Sequence, residues 1–322
     1  MSELYRIAFL LFFVLIIGYL IGHIKSVSLA RIMGWSFIVV AIISADVLFN
    51  DVTPFIRMLA IITTTLFSMK AIVLVEVYQG NPKLNYFQWL AFSAGWFGMR
   101  PQPFETLPSA PLNDKVRLLI KGVTRILVGL FILVISFYVT RSYEIHYFVP
   151  GLLALIGISF ILHFGILNLS TAYWRFLGVD CRELFRSPVL SGSLNEFWGK
   201  RWNLAFSEMT ALVIYRPLKN KFGKGFSIFC AFLFSGILHE IAISVPVKSG
   251  YGLPMLYFCI HGLLMLMEDK LSFVKKIISN RVASRIWVLT WLILPMPLLF
   301  HKEFMFKIVF PMTNQLTSIF FG

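Results

Sequence analysis

Leu4-Tyr-Arg-Ile-Ala-Phe-Leu-Leu-Phe-Phe-Val-Leu-Ile-Ile-Gly-Tyr-Leu-Ile-Gly-His-Ile24 carries one full charge, Arg6, in 21 residues. About twenty apolar residues, rising roughly 1.5 Å each, match the roughly 30 Å hydrocarbon core of a bilayer. The stretch lacks the basic start and small-residue cleavage site of a signal peptide, so it reads as a retained helix. Outward from it the pattern repeats at 33–49, 54–77, 122–140, 148–168, 226–245, 253–268, 284–300 and 304–320. The last two, separated by little more than His301-Lys302-Glu303, read as a tight hairpin or as one span plus a surface helix. Of 322 residues 58% are hydrophobic, 33 of them Phe, and only 14% are charged. No soluble domain of this size has the surface to cover so much apolar matter. The expected fold is all-α, a polytopic transmembrane bundle of about eight or nine helices. With no internal repeat, heptad run or linker, residues 1–322 read as a single integral-membrane domain.

Residues 84–99 are too interrupted for a span, and Arg100-Pro-Gln-Pro to Pro111 is too rich in proline for regular helix. A re-entrant or interfacial element followed by a loop is expected there. Charge orients the rest. Alternate connections at 25–31, 78–121, 169–225 and 269–285 carry two, five, nine and five Lys and Arg, whereas the intervening ones carry zero, one, one and one. By the positive-inside rule the rich loops face the cytoplasm and the N-terminus faces out. The net charge of +14 would point to nucleic acid in a soluble protein. In a membrane protein it points instead to anionic lipid headgroups and a phosphate-bearing substrate, with no nucleic acid. Cys181, Cys230 and Cys259 have no C-x-x-C spacing, so neither a metal cluster nor a disulfide framework is expected.

Chemistry concentrates between 191 and 245. Ser191-Gly-Ser-Leu-Asn-Glu-Phe-Trp-Gly-Lys-Arg-Trp-Asn203 packs aromatic, polar and cationic residues into thirteen positions, and His239 follows within the apolar run Phe229–Val245. An imidazole in such a run is costly unless used or hydrogen-bonded. As a neutral base near pH 7 it suits proton abstraction; the structural alternative is a histidine satisfied by a neighbouring helix. Glu240 points about 100° away from it on a helix and reads as structural, pairing elsewhere, for example with an Arg. Ser235, one turn before His239, makes a Ser-His nucleophile conceivable, and Ile243 rules out the zinc motif H-E-x-x-H.

Asn203 is a candidate donor to a developing oxyanion or a thioester carbonyl, with a helix cap or buried hydrogen-bonding residue as the structural alternative. Trp198 and Trp202, four apart, share a face if the stretch is helical; alone they read as interfacial anchors. Lys200, Arg201, Arg216, Lys219, Lys221 and Lys224 form a cationic strip suited to phosphates or to anionic lipid. His163 and His261 read as core polar residues, either of them a candidate cavity lining. His23, His146 and His301, at segment ends, read as interfacial.

Three elements together resemble the wax-synthase branch of the membrane-bound O-acyltransferase superfamily: Ser193-Leu-Asn-Glu-Phe-Trp-Gly-Lys-Arg-Trp-Asn203, Ile214-Tyr-Arg-Pro-Leu218 and Phe234-Ser-Gly-Ile-Leu-His-Glu240. The family pattern carries Arg where this chain has Lys200, a charge-conserving departure. The resemblance implies a buried reaction chamber, with His239 catalytic and Asn203 its polar partner. It also implies acyl-CoA as co-substrate from the cytosol and a lipophilic alcohol acceptor from the bilayer, with no metal or other cofactor. Trp198, Lys200, Arg201, Trp202 and Arg216 are the expected acyl-CoA contacts. An acetyl-CoA-dependent transferase of a sterol or another small hydrophobic alcohol is the nearest alternative. From other classes come a lipid transporter, with His239, Glu240, Arg57 and Lys70 along its path, and a non-catalytic lipid-binding protein.

Overall fold

A computed structural model describes residues 2–142 and 146–321, and every regular element among them is helical. Among the described residues, seven helices are long and apolar enough to cross a bilayer: Glu3–Gly22 (α1), Val27–Leu48 (α2), Pro54–Tyr78 (α3), Lys115–Arg141, Phe148–Phe176, Leu204–Val247 and Arg281–Leu299. The all-α, multi-pass class is therefore as expected, and the count differs for a definable reason. Leu253–Lys270 is helical but ends in the charged triplet Glu268-Asp269-Lys270, and the helical residues 302–321 are diluted by Lys307 and the polar run Thr313-Asn314-Gln315.

The helices gather into two compact units, each built from two stretches of chain: residues 1–107 with 205–270, and residues 108–204 with 271–322. In the first unit α1 and α2 both pack on α3. The most apolar 18-residue window of α3 is 67% buried, against 22% for α1 and for α2, so α3 is the central helix. Leu10, Val14, Phe49, Ile61 and Phe67 close around Ala41, Ala45 and Ala60, whose small side chains allow the backbones to approach.

The stretch after α3 is more ordered than its composition suggested. Tyr86–Ser93 (α4) is a short helix opened by a capping box: the Gln88 N–H donates to Asn85 Oδ1 at 2.9 Å, and the Asn85 N–H donates to Gln88 Oε1 at 3.0 Å. Its far end is met by Lys70, fully buried on α3, whose ammonium donates to the carbonyls of Phe92 (2.5 Å) and Trp96. A cation at the orphan carbonyls of a helix C-terminus is electrostatically favoured. The proline-rich chain that follows is held by the Gln88 amide, which donates to the Glu105 and Leu107 carbonyls, and by the Tyr78 hydroxyl, which donates to Glu105 Oε1 at 2.8 Å.

Leu204–Val247 (α5) is not one straight rod. Gly223, at φ 81° and ψ 172°, breaks it into two helical arms, a backbone state that glycine adopts without steric cost. The second arm packs along Leu253–Lys270 (α6). The connection expected at 169–225 thus contains a helix from 204 to 222.

In the second unit Lys115–Ser142 (α7) lies along Phe148–Phe176 (α8). The two touch through facing glycines. A Cβ on Gly129 would fall 2.7 Å from the Gly157 carbonyl oxygen, and one on Gly157 would fall 3.0 Å from that of Gly129. In α8 the segment Phe160–Ile166 widens into a π-helical turn. The C-terminal helix Phe310–Phe321 packs on both.

Candidate active site

His239 ends the regular α-helical part of the second arm of α5, immediately before a π-helical segment, Glu240–Ser244. Its Nδ1 lies 2.7 Å from the Ser235 carbonyl oxygen. A carbonyl can only accept, so Nδ1 carries the proton and Nε2 holds the lone pair. That is the tautomer a general base needs. The ring is set between Phe258 (centroids 4.2 Å) on α6 and Phe206 (5.7 Å) at the start of α5.

Glu240 is structural, as expected, but its partner is not an Arg. Its two carboxylate oxygens accept from the Gly252 N–H (2.8 Å) and the Met255 N–H (3.3 Å), capping α6. The Ser235 hydroxyl donates to the Ala231 carbonyl at 2.9 Å, an intrahelical bond that turns it away from a nucleophilic role with His239. His261 is fully buried, with Nδ1 2.9 Å from the Tyr257 carbonyl.

Residues 191–203, in the second unit, form a compact cap rather than a regular helix. Ser193 Oγ accepts from the Glu196 N–H at 3.0 Å, and Glu196 Oε2 accepts from the Gly192 N–H at 2.8 Å. The Gly192 N–H and then Arg201 hold the Glu196 carboxyl below the usual carboxylate range. One α turn, Leu194–Glu196, then widens into the π segment Phe197–Arg201. Trp202 leaves it in an extended conformation (φ −102°, ψ 127°). Trp198 and Trp202 therefore do not share a helical face, because the widened turn and the extended residue break the four-residue spacing. Trp202 instead stacks on Phe197 (5.4 Å, 14°) and meets Phe185 edge-on at 4.9 Å.

Asn203 sits at φ 41° in the left-handed region, unlike the extended backbone of an ordinary helix N-cap. Two backbone hydrogen bonds bracket it, Arg186 N–H to Arg201 carbonyl at 2.8 Å and Leu204 N–H to Leu184 carbonyl at 2.9 Å. The loop that supplies Leu184 and Arg186 is itself anchored. Arg175 donates to Asp114, Asp180 and the Cys181 carbonyl, and Lys121 pairs with Glu183 at 2.5 Å. None of these anchors stood out in the sequence. The Ser193-x-x-Glu196 spacing, a capping-box signature, was the available signal.

The cations divide by role. Arg201 is engaged by Glu196 (2.7 Å) and by the carbonyls of Arg186 and Ser187, so it braces the cap. Lys200 is exposed. Arg216, Lys219, Lys221 and Lys224 are exposed around the Gly223 break, with Lys224 paired to Asp269 at 2.6 Å. The two membrane cations named for a translocation path are occupied: Arg57 pairs with Asp46, and Lys70 caps α4.

Fold and composition define a multi-pass helical membrane protein whose polar chemistry is concentrated near residues 191–245. Residues 181–260 match the membrane bound O-acyl transferase family, a segment holding both Asn203 and His239. A probable long-chain-alcohol O-fatty-acyltransferase of Arabidopsis thaliana is 31% identical over 140 residues, 38% of this chain and 40% of that protein. The long-chain-alcohol O-fatty-acyltransferase of Simmondsia chinensis is 30% identical over 118 residues, 34% and 33% of the two chains. An acyl-CoA–sterol O-acyltransferase of Arabidopsis thaliana is 28% identical over 162 residues, 46% of each. The resemblance to the wax-synthase branch is borne out over this region, and the matches span less than half the length of these relatives.

Proposed function

We propose that this chain transfers an acyl group from acyl-CoA to the hydroxyl of a lipophilic alcohol, giving an oxygen ester and free CoA thiol. The observation that carries the proposal is the 2.7 Å approach of His239 Nδ1 to the Ser235 carbonyl oxygen, with the ring set between two phenylalanines; it supports a neutral imidazole whose Nε2 serves as the base. Nε2 takes the alcohol proton as the oxygen attacks the thioester carbonyl. The carbon–sulfur bond breaks, and the proton on Nε2 passes to the departing sulfur. Asn203 holds the carbonyl oxygen as it gains charge. Transfer is direct, with no acyl group resting on Ser235. Exposed Lys200 and Arg216 are the cations best suited to the phosphates of CoA, Trp198 and Trp202 flank the thioester, and Arg201 contributes by bracing the cap. On this reading the motif faces the cytoplasm.

The alignment with the sterol acyltransferase, wider than those with the two alcohol acyltransferases above, favours a sterol acceptor as the second reading. Acceptor-dependent release of CoA thiol by the purified protein tests both. Short- to long-chain acyl-CoAs are crossed with fatty alcohols and sterols, with His239→Ala in parallel. Turnover that needs both substrates and His239 supports the proposal, and the panel names the acceptor. Folded protein that binds lipid and releases no thiol in any pairing overturns it in favour of a transporter or lipid-binding protein.

A further inference from the structure

α8 carries two polar side chains that the proposed reaction leaves unused. His163 lies in the π segment Phe160–Ile166, and such widened turns recur at functional sites. Its ring meets Phe185 at 4.7 Å and Trp202 at 5.6 Å, and Phe164, the next residue, also meets both rings. His163 Nδ1 is sealed from solvent yet makes no hydrogen bond among the described residues. Five residues on, the same holds for Nδ2 of Asn168, a residue only 2% exposed. Buried nitrogens without partners are costly, most of all within a bilayer. Two of them on one helix, one against the aromatic cluster that ends beside Asn203, call for a ligand.

The chemistry of the surroundings narrows that ligand. A neutral imidazole nitrogen meets a hydroxyl in either tautomer, accepting its proton or donating to its oxygen. The aromatic walls suit an uncharged chain. A phosphate needs several charge-assisted donors, and Arg125, whose guanidinium stacks 5.3 Å from the Phe164 ring, is the cation in ring contact with this cluster among the described residues.

We infer that His163 hydrogen-bonds the hydroxyl of the lipophilic acceptor, whose chain lies against Phe164, Phe185 and Trp202. The inference rests on the proposed reaction for the identity of the acceptor, and its test includes a readout that needs no turnover. For the full-length protein in detergent, Michaelis constants for alcohol and for acyl-CoA are measured. The rise in unfolding temperature on adding 1-hexadecanol alone is measured separately. His163→Phe keeps the ring and removes both nitrogens. It is expected to raise KM for the alcohol about three- to tenfold, the scale of one neutral hydrogen bond, to leave KM for acyl-CoA unchanged, and to shrink the hexadecanol shift. His163→Asn, whose amide reaches about as far as Nδ1, is expected to restore alcohol binding better than His163→Gln. That pair also carries the test if the Phe variant does not fold.

An unchanged alcohol KM, a rise in the acyl-CoA KM instead, or no hexadecanol shift in the unaltered protein overturns the inference. A His163-dependent shift in a protein that releases no thiol keeps the alcohol site and removes the reaction.

Discussion

His239 and Asn203 are held by different means, and their variants should fail differently. The imidazole is positioned by one hydrogen bond and two rings, so His239→Ala should lose about 10²–10⁴-fold in thiol release with little change in unfolding temperature. Asn203 occupies a left-handed backbone state, so truncation to Ala removes the amide and also adds strain of roughly 1–2 kcal/mol. Asn203→Gly separates the two effects. If the amide bears the carbonyl charge, the glycine variant should fold as well as the parent and still lose on the order of 10²-fold. Equal activity of parent and glycine variant would reduce Asn203 to a backbone role. At Glu196 the carboxyl is held below its ordinary range, chiefly by the Gly192 N–H. A depressed folded value means the stabilisation is full above the unfolded value, about 4.3, and fades as pH falls through the lower folded one. Thiol release should therefore drop on the acid side as the cap loosens, and Glu196→Gln should lower the plateau and flatten that limb.

At the scale of elements, two contacts decide how the helices lie. Gly129 and Gly157 bring α7 and α8 close enough that a Cβ on either meets the other's carbonyl oxygen. Gly157→Val should cost about 1–3 kcal/mol through overpacking, read as a lower unfolding temperature in detergent. The same substitution at Gly199, where a Cβ meets nothing within 4 Å, is the control. Lys70 joins α3 to the end of α4 by donating to two carbonyls. Lys70→Met keeps the length of the side chain and strands those acceptors. Marked destabilisation with the acyl-CoA and alcohol KM values unchanged in the surviving protein marks Lys70 as a brace. A selective change in transport or binding would return it to a ligand path.

Over the whole molecule, the expected asymmetry is in charge. The loops at 25–31, 78–121, 169–225 and 269–285 hold most of the Lys and Arg, and should face the cytoplasm. With Cys181, Cys230 and Cys259 replaced, a single cysteine at exposed Lys200 or Lys221 should react with an impermeant thiol reagent only from the cytoplasmic side of sealed vesicles. One at Asp51 should react only from the opposite side. The reverse pattern would place the cationic strip away from cytosolic acyl-CoA and count against the proposed reaction.

Hydropathy alone determined the fold class and most span positions, because burying twenty apolar residues in a bilayer depends on composition and length rather than on partners. Motif spacing likewise singled out His239, Asn203 and the structural character of Glu240. What only the three-dimensional structure decided are features that residue spacing and charge counts do not encode, namely partners brought together by folding and local breaks in the backbone. By charge alone Arg201 belongs with the phosphate-binding cations; its engagement with Glu196 and two loop carbonyls is invisible to a charge count. Trp198 and Trp202 fit a helical spacing until a π turn and an extended residue pulled them apart. Residues 204–222 read as part of a basic connection, whereas the break that shapes them comes from one backbone angle, at Gly223. The setting of the His239 ring divides the same way: its Nδ1 is fixed locally, by the Ser235 carbonyl one turn back in its own helix, whereas the Phe206 and Phe258 rings on either side come from elements distant in the chain and only the packed structure brings them there.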